Sequence, residues 1–154
     1  MKNFGWEMSH SVEARVSARF AWDYWTNHGQ GVRNWNDPPA KFELAGKFAA
    51  GAYGTTRMPG NPPMHWLIRE CLAPVSATIE MKLEGATISF EWRFEKIAEM
   101  QSRLIQRVVL RGENAYAYIA QVESAFKANL ADGMIKIAGA MEFAAERKNK
   151  DARG

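Results

Sequence analysis

NAYAYIAQVESAFKANLADGMIKIAGAMEFAAER, residues 114–147, is the one run of this 154-residue chain with sustained helical periodicity. Tyr116, Ile119, Val122, Phe126, Leu130, Met134, Ile137, Met141 and Ala144 recur every three or four positions and draw one apolar stripe. Alanines fill the interior with the strongest helix former, and Asn114, following Gly112, is the expected N-cap. A helix of about 34 residues would be about 51 Å long, whereas a globule of this size has a radius of gyration near about 15 Å. The helix is therefore expected to overhang, bend or fray, with Asp132-Gly133 the place for any irregularity. Gly133 has two readings: it lets the helix approach a sheet closely, or it lets the helix bend around a ligand. Either way the stripe needs a broad apolar surface, and the preceding residues must supply it.

They supply strands. From Gly5 to Ala14 the chain alternates, with Trp6, Met8, His10 and Val12 on one face and Glu7, Ser9, Ser11 and Glu13 on the other. Ser17 then reads as the N-cap of a short helix carrying Phe20, Ala21, Tyr24 and Trp25, ended by Asn27-His28-Gly29. A second short helical turn is predicted over Gly31–Trp35, closed by Asp37-Pro38-Pro39. Phe42 and Leu44 mark a short strand, Gly46 and Gly51 flank a turn, and Ala52–Arg57 is a further strand before the breaker run Pro59-Gly60-Asn61-Pro62-Pro63.

Four longer strands follow: Met64–Ala73, Val75–Glu84, Thr87–Ile97 and Met100–Arg111. Their links are too short for parallel crossovers, so an antiparallel meander is predicted, with turns at Gly85 and at Ala98-Glu99. Ala77, Ile79, Met81 and Leu83 oppose Thr78, Glu80, Lys82 and Glu84; Ile88, Phe90, Trp92 and Phe94 oppose Ser89, Glu91, Arg93 and Glu95. One face is apolar and the other carries mixed charge able to pair across strands. The order is strand, two short helices, six strands, long helix: an α+β chain whose closing helix lies on a curved antiparallel sheet of about seven strands.

The bulk numbers suit one domain. Residues 1–148 read as a single unit and 149–154 as a basic tail. Hydrophobic content of 47% and charged content of 24% are ordinary, and the net charge of +3 is spread along the chain except at Arg147, Lys148, Lys150 and Arg153. That cluster reads as a solvated terminus, not a nucleic-acid arm. Cys71 is the only cysteine, which excludes an intrachain disulfide and suggests a reducing compartment; in its apolar run it reads as a small buried hydrophobe. No signal-peptide core opens the chain, since Trp6 and Glu7 interrupt it, and no run approaches a membrane span, so a cytoplasmic protein is expected. His10, His28 and His65 have no metal-ligand spacing with one another or with Cys71, and no phosphate loop, nucleophile elbow or dinucleotide fingerprint is present. No metal and no cofactor are predicted.

The polar residues of interest are those in phase with apolar ones. His10 falls with Trp6, Met8 and Val12; Glu70 with Trp66, Ile68 and Leu72, against Leu67 and Cys71; Gln106 with Leu104 and Val108. A buried ionisable group needs a partner, a shifted pKa or a wet cavity. His10 and Glu70 lining one cavity would make a general acid–base pair. The structural alternatives are a core histidine held by a backbone group, and a glutamate facing solvent or an arginine such as Arg69 or Arg57.

Taken in order, the chain resembles the SRPBCC superfamily, the START-like or Bet v 1-like helix-grip proteins that include polyketide cyclase/dehydrase-like and Hsp90-ATPase-activator-like members. The resemblance rests on Ser11-Val12-Glu13-Ala14, on Ser17-Ala18-Arg19-Phe20-Ala21-Trp22-Asp23-Tyr24-Trp25, on Gly51-Ala52-Tyr53-Gly54-Thr55, and on the closing helix with Leu130, Gly133, Ile137 and Ala138. It implies a sheet wrapped around the long helix with a cavity for an apolar ligand between them. Met8, Tyr53, Trp66, Ile68, Met81, Phe90, Trp92, Gln106, Phe126, Leu130 and Met134 would line that cavity, or equally fill it as core. Trp22, Trp25 and Trp35 belong to the short helices that close one mouth. The function implied is binding of a small, largely apolar molecule such as a lipid, polyketide-like or aromatic compound. The alternatives are a cyclase/dehydrase-like enzyme using His10 and Glu70, and an Hsp90-activator-like interaction module. No nucleic-acid partner is expected, and association as a homodimer is left open.

Overall fold

The structure is a computed structural model, which describes residues 4–26, 41–44, 47–57, 60 and 62–153. Seven strands form one antiparallel sheet: β1 (Phe4–Ala14), β2 (Lys41–Leu44), β3 (Tyr53–Arg57), β4 (Met64–Leu72), β5 (Ser76–Leu83), β6 (Ala86–Ala98) and β7 (Gln101–Gly112). Their order is β1-β7-β6-β5-β4-β3-β2, so the six strands from β2 to β7 meander and β1 adds to the outer edge of β7. The first helix, α1 (Ala18–Thr26), follows β1, as the Ser17 reading requires: the Ser17 hydroxyl accepts from the Phe20 N–H at 3.0 Å. The second short helical turn, with Asn27-His28-Gly29, Trp35, Asp37-Pro38-Pro39 and Gly46, lies outside the described residues.

The C-terminal stretch is two helices, α2 (Ala115–Lys127) and α3 (Asn129–Arg153). The break falls at Ala128, four positions before the predicted Asp132-Gly133. Asn129 explains it: its side-chain amide donates to the Ala125 carbonyl at 2.9 Å, taking an acceptor that a continuous helix would use for its own backbone. Gly133, by contrast, runs on within α3, and a Cβ built there would meet nothing within 4 Å. It therefore serves no close approach of helix and sheet. The helix also continues to Arg153, so the residues expected to form a tail belong to it.

Asn114 occupies the N-cap position but makes no side-chain cap; its amide donates instead to the Glu84 carbonyl, as does the Tyr118 hydroxyl, at 3.2 and 3.0 Å. The start of α2 is thus tied to the β5–β6 turn. Gly85 makes that turn with φ of +73°, and Gly112 packs against it with φ of +132°, where a Cβ would lie 2.6 Å from the Gly85 carbonyl oxygen. The β6–β7 turn holds Glu99 and Met100, one residue later than predicted, with Ala98 opposite Gln101.

The two faces of the sheet behave as the alternation requires. On the outer face Arg107 bonds Glu7 and Glu91, Arg103 pairs with Glu13 and Glu95, and Arg69 pairs with Glu80. These pairs are largely exposed and add little stability each. On the inner face Ile88, Trp92, Phe94, Leu104, Val108 and Leu110 are buried together with Val122, Leu130, Met134, Ile137 and Met141 of the helix pair. The helices pack on β1, β6 and β7, and α1 seals one end of that half through Trp22, Trp25, Phe48, Trp92 and Phe94, whose ring centroids lie 5.1–6.1 Å apart in sequence around the cluster.

Candidate functional site

The concave face divides into two halves. Beneath the helices, inward side chains of β6 and β7 are buried. Toward β4 and β5 the inward side chains Cys71, Ile79 and Met81, together with Phe90 of β6, pack against the core yet stay only half-buried. Trp66 on β4 is likewise half-buried. This is the half-buried, apolar part of the concave face.

Sequence phase placed most of this surface correctly and two residues wrongly. Met8, His10, Met81, Phe90 and Phe126 are inward or core-facing and half-buried, with the Phe90 and Phe126 rings 5.5 Å apart. Ile68, Trp92, Leu130 and Met134 are fully buried and act as core. Tyr53 is 66% exposed and pairs with Leu67, which itself lies opposite Glu80 of the charged face, so it is outside.

Glu70 is also outside. A β-bulge between Ile68 and Glu70 inserts one residue into β4. Before it Ile68 lies opposite Ile79; after it Glu70 lies opposite Thr78 and Cys71 opposite Ala77. One extra residue exchanges the faces of everything that follows, so the carboxylate turns to solvent and the thiol turns to the core. His10 and Glu70 therefore occupy opposite faces and form no acid–base pair. Burial pushes the Cys71 thiol up from its ordinary range, against a lowering backbone hydrogen bond at Ala73.

The registers place one row of inward residues across the sheet: His10, Gln106, Trp92, Ala77 and Cys71. It sets two polar side chains, His10 and Gln106, side by side at mid-strand. Among the described side chains of the sheet, no aspartate or glutamate occupies an inward-facing position, and the one lysine there, Lys96, lies near the far tip of the β6–β7 hairpin opposite Ser102. Thr56, which phase analysis passed over, shares the inner face with Gly54 and accepts from the Trp66 indole N–H at 3.0 Å. The signal for it was the alternation Gly54, Thr56 within β3. Gly54 leaves the space that the Trp66 ring fills, since a Cβ there would lie 2.2 Å from the ring. An open groove of about 530 Å³ runs along the flank of α2, lined by Tyr116, Ile119, Ala120, Glu123, Ser124 and Lys127; Ile119 belongs both to it and to the core packing. Among the described residues no group of three or more His, Cys, Asp or Glu side chains is placed to hold a metal, and no helix is long and apolar enough to cross a membrane.

No family model matches the chain, and no curated protein sequence matches it. Solved structures do. A point mutant of norcoclaurine synthase from Thalictrum flavum, in complex with a transition-state analogue, superposes with a TM-score of 0.71 at 14% identity, covering 96% of this chain and 99% of that one. The Zhui aromatase/cyclase from Streptomyces sp. R1128 gives 0.67 at 14% identity over 90% and 94% of the two chains. Ara h 8.0201 gives 0.67 at 13% identity over 90% and 98%. Strand order, curved sheet and closing helices are those of the Bet v 1-like, SRPBCC-type helix-grip fold. At identities this low the likeness establishes the fold.

Proposed function

We propose that this protein binds a small, largely apolar molecule on the concave face, between β4–β6 and the helix pair. The observation that carries the reading is the half-buried state of Cys71, Ile79, Met81 and Phe90: apolar side chains pointing inward, in contact with the core, and still reachable. Closing such a surface with an apolar ligand gains about 25 cal/mol for each Å² removed from water. The fold neighbours support it, since one norcoclaurine synthase structure holds dopamine and hydroxybenzaldehyde. The enzyme reading through His10 and Glu70 loses its support with the carboxylate on the outer face.

The test is titration with a neutral apolar dye, N-phenyl-1-naphthylamine. Saturable binding with a Kd of about 100 μM or tighter is expected, weakened at least about tenfold by Met81→Glu and unaffected by Tyr53→Ala on the opposite face. Circular dichroism checks that each variant is folded. Absence of saturable binding, or equal loss in both variants, overturns the proposal.

A further inference from the structure

Gln106 lies at the centre of the concave face, in mid-β7, and is 9% exposed. It sits opposite His10 on β1 and Trp92 on β6, with Leu104 and Val108 as its inward neighbours along the strand. Among the described residues its amide has no hydrogen-bond partner, and neither has the His10 imidazole. Such a residue is a poor choice for packing alone. An amide left unpaired once water is excluded costs about 1–3 kcal/mol, and a leucine or methionine would fill the place without that risk.

Ser102 lies four residues earlier on the same face. The Ser102 hydroxyl is both unpaired and sealed from any space a water-sized molecule can reach. The amide atoms of Gln106 are unpaired but not sealed, so they open onto free space on the inner side of the sheet. The neighbouring groups define what that space accepts. The Trp92 ring lies beside it, and among the described side chains of the sheet no inward position carries a carboxylate and the only inward lysine is at the remote hairpin tip.

From this we infer that Gln106, with His10 beside it, anchors the single polar group of the bound molecule, and that this group is a neutral hydroxyl. The inference rests on the ligand-binding reading above. An amide offers one kind of donor and one acceptor; a hydroxyl both donates and accepts and satisfies either orientation of the amide. A carboxylate or phosphate would lose its hydration with no lysine or arginine on the neighbouring inward strand positions to replace it. The ligand class is therefore an apolar or aromatic alcohol or phenol, with its oxygen at Gln106 and its apolar body extending toward the β4–β6 half of the concave face.

Three probes with the same ring system test this by displacement of the dye: 2-naphthol, naphthalene and 2-naphthoate. One buried hydrogen bond predicts that 2-naphthol binds about tenfold tighter than naphthalene, with 2-naphthoate weakest. Gln106→Leu should abolish the advantage of 2-naphthol while leaving naphthalene within about twofold of its original Kd. Gln106→Met, closer in shape, should do the same and stands in if the leucine variant does not fold. Equal binding of 2-naphthol and naphthalene, tighter binding of 2-naphthoate, or a 2-naphthol advantage that survives both substitutions overturns the inference and leaves ligand binding intact. Failure of all three probes to bind overturns both.

Discussion

Gly54→Ala tests the architecture of the concave face at one atom. The backbone at Gly54 is ordinary strand, so alanine is conformationally acceptable there, and in open space it would stabilise the strand by about 0.5–1 kcal/mol. The obstacle is the Trp66 ring, because the new Cβ would stand 2.2 Å from Cζ2, 2.3 Å from Cη2 and 2.7 Å from Cε2. The ring must move, and moving it breaks the indole bond to Thr56. Overpacking costs about 1–3 kcal/mol and the lost hydrogen bond about 1 kcal/mol, so Gly54→Ala should destabilise by about 2–4 kcal/mol. For a chain of this length that is a fall in Tm of about 5–15 °C. The decisive measurement is a double-mutant cycle by urea unfolding with Trp66→Ala. Once the ring is gone, Gly54→Ala should be neutral or slightly stabilising, giving a coupling of at least about 2 kcal/mol between the two sites. A coupling below about 0.5 kcal/mol would refute the placement of Trp66 over Gly54, and with it the inner-face assignment of β3 and β4.

Two further stability predictions follow from space and from pairing. Gly133→Ala and Gly139→Ala, each facing open space within α3, should each raise stability by about 0.5–1 kcal/mol and Tm by about 1–4 °C; a loss at Gly133 would support a bending role for it. Ser102→Ala removes a sealed, unpaired hydroxyl and should stabilise by about 1 kcal/mol in chemical unfolding, whereas destabilisation would show that the hydroxyl is bonded.

Alternation and periodicity carried most of the fold. They located the strands to within a residue or two at most ends, because Gly5–Ala14, Ser76–Leu83 and Gln101–Arg111 repeat with a strict period of two and their links are too short for any but antiparallel pairing. The same period put Met81, Phe90, Trp92 and Gln106 on the inner face, where the registers place them. It failed where one residue departed from the period. The bulge at Ile68–Glu70 is invisible in a strand apolar on both faces, since Leu67 and Cys71 hide the change of phase. The acid–base pair was lost at that point, and Cys71 gained an inward position.

The C-terminal stretch shows the same division. Local chemistry in residues 114–147 dictated helix, because alanine content and a stripe at steps of three and four leave no other conformation that buries the stripe. Where that helix breaks depended on a single side chain, Asn129, choosing the Ala125 carbonyl. Which inward residues are filled core and which remain reachable depended on the packing of α1, α2 and α3 over β1, β6 and β7 only. Secondary structure is set by neighbours along the chain and is legible in the order of residues. Whether a methionine or a glutamine meets a partner or open space is set by residues far away in sequence, and only the folded chain brings them to the place where that is decided.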